Sequence, residues 1–333
     1  MVAEVVAMGI QRKVGWLALS VIFLSLGAAC ERVNTLVGPN RQRGRVAYQI
    51  FNNVRSQLFV LQSDDRENPI RLTTTLSDDV FPRWSPDGKT IAFLSDREGV
   101  PGLFRLYQMN DDGTSVRELF DPVADPEGDL EFSWAPDGRH IALINSVSGV
   151  RTDRRQLYIL DTRTLARQRV LTALPNRYAP DWAPDGNTIA LVSLNSGTNV
   201  STLQLLSYPE LELRTADLGG LQANFPRWAP DSRHLAFLAI PAGGSLDEFQ
   251  VFVADAMTFE TRQLTAIEGG IQQPGPVTWS PDSQRILFAA PGDYVFIESF
   301  RDLYSVRLDG TELTRFTKNQ NNDESTPDWT FVD

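Results

Sequence analysis

One short motif, Trp-Ser/Ala-Pro-Asp-Gly/Ser, recurs through the sequence at a nearly constant spacing. Five full copies and a truncated sixth begin at Trp84, Trp134, Trp182, Trp228, Trp279 and Trp329, which lie 50, 48, 46, 51 and 50 residues apart. A period of about 20–50 residues is typical of solenoids and propellers, in which each repeat is one supersecondary unit. The chain is therefore expected to be an array of similar units.

Each repeat is predicted to contain four short strands joined by turns. The Pro-Asp-Gly step forms a tight turn because proline presets one φ angle and glycine accepts the left-handed conformation. The run after the turn, such as Ile91–Leu94, is apolar at odd and even positions alike, which is typical of strands covered on both faces. Ser232 and Ser283 replace the turn glycine in two copies, and we expect positive φ angles there.

Short strands covered on both faces predict an all-β fold, a six-bladed β-propeller of four-stranded antiparallel blades. The first strand-like run, 45–50, matches the second strand of a repeat, whereas the final segment, 326–333, matches a first strand. We therefore expect the C-terminal strand to complete the N-terminal blade, since an unpaired inner edge would leave backbone groups unbonded. The predicted blades are approximately 45–75 with 326–333, 80–122, 130–173, 178–217, 223–266 and 275–319.

The motif turn, the Ile-Ala-Phe type of strand and the Leu-Thr ending of the repeats resemble the propeller repeats of the TolB family. The resemblance covers about residues 45–333 and implies a propeller. It implies less about function, because one fold hosts many functions. TolB proteins carry an α/β domain before the propeller, and the roughly 15 residues between Cys30 and the first strand leave no space for it. The family's binding of the peptidoglycan-associated lipoprotein and TolA is therefore not expected by default.

The N-terminal residues resemble a bacterial lipoprotein signal. Basic residues at 12–13 precede a mostly apolar run, 14–29, and the run ends at Cys30, the single cysteine. The run is shorter than the roughly 20 residues of a membrane-spanning helix and is typical of a secretory signal. The resemblance implies cleavage before Cys30 and lipidation of this residue. Ordinary cleavage after Ala29, which leaves a thiol, and a translation start at Met8 are alternatives.

The predicted organisation is a signal peptide at 1–29, a tether at 30–44 and the propeller at 45–333. We expect an exported monomer, anchored by its lipid to the cell membrane or the outer membrane, with the propeller on the periplasmic or extracytoplasmic side. The net charge of −11 argues against nucleic acid as a partner, because polyanions favour basic surfaces.

The sequence contains no catalytic motif, and we predict a non-enzyme without a cofactor. Peptidases that carry related propellers add a hydrolase domain with a Gly-x-Ser-x-Gly elbow, which does not occur here. His140 and His234 are the only histidines, too few for the histidine-based metal site of related propeller lyases. Both occupy the same repeat position, where we expect a solvated strand end.

The residue before each motif tryptophan is expected near the hub of the ring. In ring order from the clasped blade these residues are Asp328, Arg83, Ser133, Asp181, Arg227 and Thr278. Charges near the hub need partners, so Arg83–Asp328 and Arg227–Asp181 are predicted to form inter-blade ion pairs. A ligand site lining the channel is the alternative role for these four side chains.

Loops before the first strand and between the second and third strands of each blade meet on one face, named here the loop face. They vary most in length, as recognition loops on a rigid scaffold do. The candidate contacts for a partner or ligand are Asp78, Asp79, Arg177, Tyr178, Phe249, Tyr294, Phe296 and Phe300. One acidic loop is a weak candidate for calcium, with a solvated loop as the alternative: Asp121, Asp125, Glu127 and Asp129.

The favoured function is a non-catalytic, membrane-anchored propeller of the cell envelope that binds a protein or another envelope component through the loop face. The first alternative is a carbohydrate- or peptide-binding module at the channel mouth. A hydrolase or lyase that uses carboxylates alone is the less favoured alternative, because nothing in the sequence supports it positively.

Overall fold

The computed structural model describes residues 44–97, 102–119, 128–146, 154–175, 177–195, 197–198, 200–245, 248–292, 300–318 and 322–331. In chain order the strands of these residues are β1 (Gly44–Phe51), β2 (Ser56–Gln62), β3 (Asp65–Arg71), β4 (Asp79–Trp84), β5 (Thr90–Ser95), β6 (Arg105–Asn110), β7 (Arg117–Glu118), β8 (Asp129–Trp134), β9 (His140–Ser146), β10 (Arg154–Asp161), β11 (Arg167–Pro175), β12 (Arg177–Trp182), β13 (Thr188–Asn195), β14 (Val200–Ser207), β15 (Leu213–Thr215), β16 (Asn224–Trp228), β17 (His234–Ala239), β18 (Gln250–Asp255), β19 (Thr261–Gln263), β20 (Thr278–Trp279), β21 (Arg285–Pro291), β22 (Arg301–Arg307), β23 (Thr314–Arg315) and β24 (Asp323–Phe331). Within this part of the chain, no helix is long and apolar enough to cross a membrane.

The strands form six four-stranded antiparallel sheets, the blades of a propeller. Blade 1 has the order β24-β1-β2-β3, and blades 2 to 6 each take four consecutive strands, from β4–β7 to β20–β23. The last strand pairs with the first over its whole length, from Gly44 opposite Phe331 to Phe51 opposite Asp323. The predicted six-bladed propeller, in which the C-terminal strand completes the N-terminal blade, is confirmed.

The apolar core is divided among the six interfaces between neighbouring blades, and each interface contains one motif tryptophan. Strand β5 explains why its residues are apolar at every position. Ile91 and Phe93 pack towards blade 1, whereas Ala92 and Leu94 pack towards blade 3 beside Trp134. Every motif tryptophan is buried, with at most 9% of its surface exposed. Burying a side chain of this size contributes roughly 3 kcal/mol or more.

The motif turns adopt the expected left-handed conformation at their last position. Gly88 has a φ angle of 66°, and the two serines that replace this glycine, Ser232 and Ser283, have φ angles of 54° and 59°. The prediction of positive φ at both serines is confirmed. A side chain with a Cβ atom is strained in this conformation.

The innermost strands carry a β-bulge that the sequence analysis did not predict. The pairing register shifts between Val80 and Arg83 in blade 2, and Phe81 has a φ angle of 53°. Ala179 and Phe225 repeat this geometry in blades 4 and 5, with φ angles of 54° and 52°. Bulges leave one residue outside the ladder and re-aim its neighbours. Here the N–H groups of Phe81 and Ala179 donate to Gln49 and Glu131 of the preceding blade.

Candidate functional site

Each innermost strand is joined to the innermost strand of the next blade by a hydrogen bond of the motif tryptophan, which gives six such bonds around the hub. Where the residue before the motif tryptophan is Asp, Ser or Thr, its side chain accepts the backbone N–H of the next motif tryptophan. These four bonds are Trp84 N–H to Asp328 (2.7 Å), Trp182 N–H to Ser133 (3.0 Å), Trp228 N–H to Asp181 (2.7 Å) and Trp329 N–H to Thr278 (3.3 Å). Where that residue is arginine, its carbonyl accepts the indole N–H of the next tryptophan instead: Trp134 to Arg83 (3.3 Å) and Trp279 to Arg227 (3.0 Å).

The hub also contains an ion-pair network. Arg83 lies 3.4 Å from Asp328, and Arg227 lies 3.3 Å from Asp181, so both expected inter-blade pairs are present. Arg83 additionally contacts Asp181 at 3.4 Å, which joins the two pairs across the channel. This third contact was not expected, because ring order alone does not show which side chains meet across a narrow hub.

The hub repeats itself after three blades. In ring order its residues read Asp-Arg-Ser and then Asp-Arg-Thr, from Asp328 to Ser133 and from Asp181 to Thr278. The stretches Phe81–Ser95 and Phe225–Ala239, which are nearly identical in sequence, occupy blades 2 and 5 and hence equivalent places in the two halves. The two similar segments, three blades apart, thus also make similar contacts with their neighbouring blades.

Glu131 is the hub residue that the sequence analysis missed. It lies three positions before its motif tryptophan, and its carboxylate accepts the N–H of Ala179, the bulged residue of the next blade. Burial raises the pKa of Glu131, against the lowering effects of this hydrogen bond and of the charges on Arg155, Arg227 and Arg83. Aligning the repeats three residues upstream of the tryptophans would have singled it out as the only acidic residue at that position.

Burial shifts two further hub groups. It raises the pKa of Asp328, and it lowers the pKa of Arg227 to about 10 with help from the neighbouring charge of Arg83. The recess towards the loop face beside Arg83 and Glu131 has a volume of about 20 Å³, close to the minimum for one water molecule. The recess on the other side, lined by Trp84 and Asp181, holds about 210 Å³.

Two expected contacts of the loop face have structural partners. Asp78 accepts the N–H of Ser56 at 2.7 Å and pairs with Arg55 at 3.2 Å. Asp79 is fully buried and pairs with Arg97 at 2.7 Å. The expectation that Asp79 contacts a partner is corrected here, because a side chain without exposed surface cannot do so.

The acidic-loop candidate is represented by one described residue, since Asp121, Asp125 and Glu127 lie outside the described residues. Asp129 is buried, accepts the N–H of Leu106 at 2.9 Å and pairs with Arg167 at 3.3 Å. Its carboxylate therefore has a structural role inside the blade, and the expectation that Asp129 is a weak calcium ligand is corrected. Among the described residues, no group of three or more His, Cys, Asp or Glu is arranged to hold a metal ion.

The remaining predicted residues divide between described and undescribed parts of the chain. Cys30, with the signal peptide and the tether up to residue 43, and Tyr294 and Phe296 lie outside the described residues. The last residue of the predicted tether, Gly44, begins β1. Arg177 is the first residue of β12. Phe300 is partly exposed, and its carbonyl accepts the N–H of Gly292 at 3.0 Å.

The two histidines lie in blades 3 and 5. His140 contacts Asp137 at 2.5 Å, and His234 contacts Asp231 at 2.7 Å, in each case through the ring Nδ1 atom. Each histidine thus pairs with the aspartate of its own motif turn.

Tyr178 and Phe249 come together across a cleft between blades 4 and 5. The cleft has a volume of about 720 Å³ and opens on the loop face. Its walls include Tyr178, Ser201, Gln222, Asn224, Ile240 and Phe249. Of the predicted loop-face residues, these two aromatic ones share a concave site.

A chain of hydrogen bonds holds the polar wall of this cleft. The Tyr178 hydroxyl donates to Asn224 Oδ1 at 2.8 Å, and Asn224 Nδ2 donates to the Gln222 carbonyl at 3.2 Å. The Ser201 N–H in turn donates to Gln222 Oε1 at 3.2 Å. Burial, with the nearby Glu131 charge, raises the pKa of Tyr178 to about 12, so the phenol is neutral at physiological pH.

Comparisons with known proteins agree on the fold. No protein-family model matches the chain. A 55-residue segment is 46% identical to the uncharacterized peptidase YuxL of Bacillus subtilis. The matched segment is 14% of this chain and 8% of that protein. The structure is similar to TolB from Acinetobacter baumannii, with a TM-score of 0.73 and 18% identity over 92% of this chain and 71% of that one. It is also similar to oligogalacturonate lyase from Vibrio parahaemolyticus, with a TM-score of 0.55 and 12% identity over 80% of this chain and 73% of that one.

The fold is thus that of the TolB propeller domains. Identities below one fifth carry the fold alone, and the similar structures include both TolB and a lyase. Function has to be argued from the site.

Proposed function

We propose that this protein is a non-catalytic, lipid-anchored propeller of the cell envelope that binds a protein or another envelope component through the loop face. One observation carries the proposal: the charged side chains at the hub are bonded to each other and to the backbone of the next blade. Groups held in this way support the ring. The loop face, in contrast, offers a cleft of about 720 Å³ on a rigid scaffold.

The envelope location is supported by the lipoprotein-like N-terminus and by the resemblance to TolB repeats. Mass spectrometry of the membrane fraction tests it: we expect an N-terminal peptide that begins at a lipidated Cys30. Cys30→Ser should move the protein into the soluble fraction. A Cys30 peptide with an unmodified thiol would contradict the proposal.

The binding role is tested by affinity capture from envelope extracts. The baits are the intact protein, a variant without the loop at 292–301, and Met257→Ser as the matched control. Met257 is 84% exposed in the turn after β18, on the face opposite the loop face. We expect capture of a defined envelope component that is lost with the loop and kept in the control. Equal capture by all three baits would contradict the assignment to the loop face.

The cleft also favours the second candidate, a carbohydrate- or peptide-binding module, although with its site between blades 4 and 5 and not at the channel mouth. A carboxylate-based hydrolase or lyase is the third and least favoured candidate. Turnover of an oligogalacturonate or peptide substrate by the purified protein would replace the non-catalytic proposal.

A further inference from the structure

We propose that the cleft between blades 4 and 5 is a binding site for a neutral carbohydrate. The inference deepens the second candidate above and rests on the loop face being a binding surface. Its starting point is size, since about 720 Å³ lies within the roughly 300–1,000 Å³ of typical small-molecule sites.

The polar wall of the cleft is built from uncharged groups. It presents the hydroxyl of Tyr178 and the amides of Gln222 and Asn224. Ser201 also lines the cleft, but it is buried and its hydroxyl donates to the Ala223 carbonyl at 3.1 Å. Hydroxyl and amide groups both donate and accept hydrogen bonds, and so do sugar hydroxyls. Because Tyr178 and Asn224 are already bonded to each other at 2.8 Å, their remaining donors and acceptors are held in place before a ligand arrives, which lowers the entropy cost of binding.

The other part of the wall is apolar. Ile240 and Phe249 come from the connection between β17 and β18. The backbone of Phe249 is fixed by an isolated bridge to Ile271, whose N–H donates to the Phe249 carbonyl at 2.8 Å. Phe249 as a whole residue is partly exposed, and it also packs against the apolar core between blades 5 and 6. A fixed, accessible aromatic face next to hydrogen-bonding groups suits a sugar ring, which has an apolar C–H face and a hydroxylated edge.

Charge separates this ligand class from anionic ones. None of the described residues that line the cleft is charged, and the whole chain has a net charge of −11. The Arg155 guanidinium lies 5.9 Å from the centre of the Tyr178 ring, but it is not part of the described lining. A uronate or a phosphorylated ligand would find no counter-charge in that lining and would lose hydration at a cost. A neutral sugar avoids this cost.

The strand pairing separates a sugar from an extended peptide. Peptides commonly bind by pairing with an exposed strand edge. In blades 4 and 5 the open outer edges belong to β15 and β19, and neither strand contributes to the described lining of the cleft. The walls therefore offer side-chain hydroxyls and amides and no free ladder for a peptide backbone.

The test is calorimetric titration of the full-length protein with maltotriose, cellotriose and tri-N-acetylchitotriose, with trigalacturonate as the charged control. We expect binding of at least one neutral trisaccharide and none of trigalacturonate. Phe249→Ala and Gln222→Ala should each weaken binding about tenfold or more. Gln222 is exposed, so we expect Gln222→Ala to fold. It therefore keeps the test valid even if Phe249→Ala does not fold. Met257→Ser, on the opposite face, should bind as the parent does.

Three results overturn the proposal: no heat with any neutral trisaccharide, stronger binding of trigalacturonate, or binding that survives both cleft variants. If a peptide binds the parent protein and binding is lost in Phe249→Ala, the cleft is a peptide site and the carbohydrate proposal is wrong. The capture experiment separates this failure from failure of the broader function. If the parent and Phe249→Ala capture the same envelope component equally, the loop face remains a binding surface but the carbohydrate proposal is wrong.

Discussion

Replacing Asp181 by alanine should destabilise the ring strongly. Asp181 is 6% exposed, accepts the Trp228 N–H at 2.7 Å and contacts both Arg227 at 3.3 Å and Arg83 at 3.4 Å. Asp181→Ala leaves two mostly buried guanidinium groups short of a counter-charge and one backbone donor without its acceptor. Removing one partner of a buried ion pair costs about 3–5 kcal/mol, and we expect the free energy of unfolding to fall by that amount.

Two matched variants separate charge from hydrogen bonding. Ser133 occupies the equivalent position one blade earlier and accepts only the neutral N–H of Trp182 at 3.0 Å, so Ser133→Ala should cost about 1 kcal/mol. Asp181→Asn keeps an oxygen that can accept the Trp228 N–H and removes the charge. Its loss should fall between those of the two alanine variants.

Urea unfolding followed by tryptophan fluorescence measures these differences, since every blade interface contains a motif tryptophan. If Asp181→Ala costs no more than Ser133→Ala, the ion-pair network contributes nothing beyond single hydrogen bonds. That result would contradict a stabilising role of the ion pairs at the hub.

Four further variants test other parts of the structure by thermal melting. Ser232→Gly and Ser283→Gly should each stabilise the protein by about 0.5–1 kcal/mol, because glycine relieves the positive φ angles of 54° and 59°; a lower melting temperature would contradict the strain. Deleting 326–333 should cost more than about 3 kcal/mol, because Trp329 alone is a large buried side chain; a loss no greater than that of Ser133→Ala would contradict the clasp. Glu131 is partly buried, and its pKa is raised in the folded protein. A protein with such an acid loses stability as the pH rises above the acid's ordinary pKa of 4.5. Glu131→Gln should therefore reduce the fall in melting temperature from pH 4.5 to about 8, and an unchanged pH profile would count against this role of Glu131.

The fold was predictable from the sequence because its causes are local and repeated. The tryptophan period set the number of repeats, the doubly apolar run at Ile91–Leu94 required cover on both faces, and the offset between the first and last strands predicted the clasp. Each of these signals concerns a strand and its immediate neighbours. Such local signals can be recognised in a single sequence.

The site was less predictable because it depends on geometry that the period does not show. The bulge at Ala179 turns a backbone N–H towards Glu131, and no residue type marks that bulge in advance. Asp79 looked like an exposed loop acid, yet the β4–β5 pairing places it inside its blade opposite Ser95. Tyr178 and Phe249 are 71 residues apart, and only the packing of blades 4 and 5 places them across one cleft.

A designed disulfide tests the closed ring most directly. Phe51 and Asp323 are opposite each other in the β1–β24 pairing, and paired Cα atoms about 4.5–5.5 Å apart can be bridged by a disulfide. Phe51→Cys with Asp323→Cys, in a Cys30→Ser background, should form an intramolecular disulfide on mild oxidation. The control pair, Phe51→Cys with Thr330→Cys, should not, because Thr330 lies opposite Arg45, roughly 20 Å away along the strand.

The decisive readout is mass spectrometry of the oxidised, digested monomer. A closed ring should give a cross-linked peptide that joins β1 to β24 for the first pair and none for the control. Absence of that peptide, or disulfides only between molecules, would show that the last strand does not complete the first blade and would contradict the closed six-bladed ring.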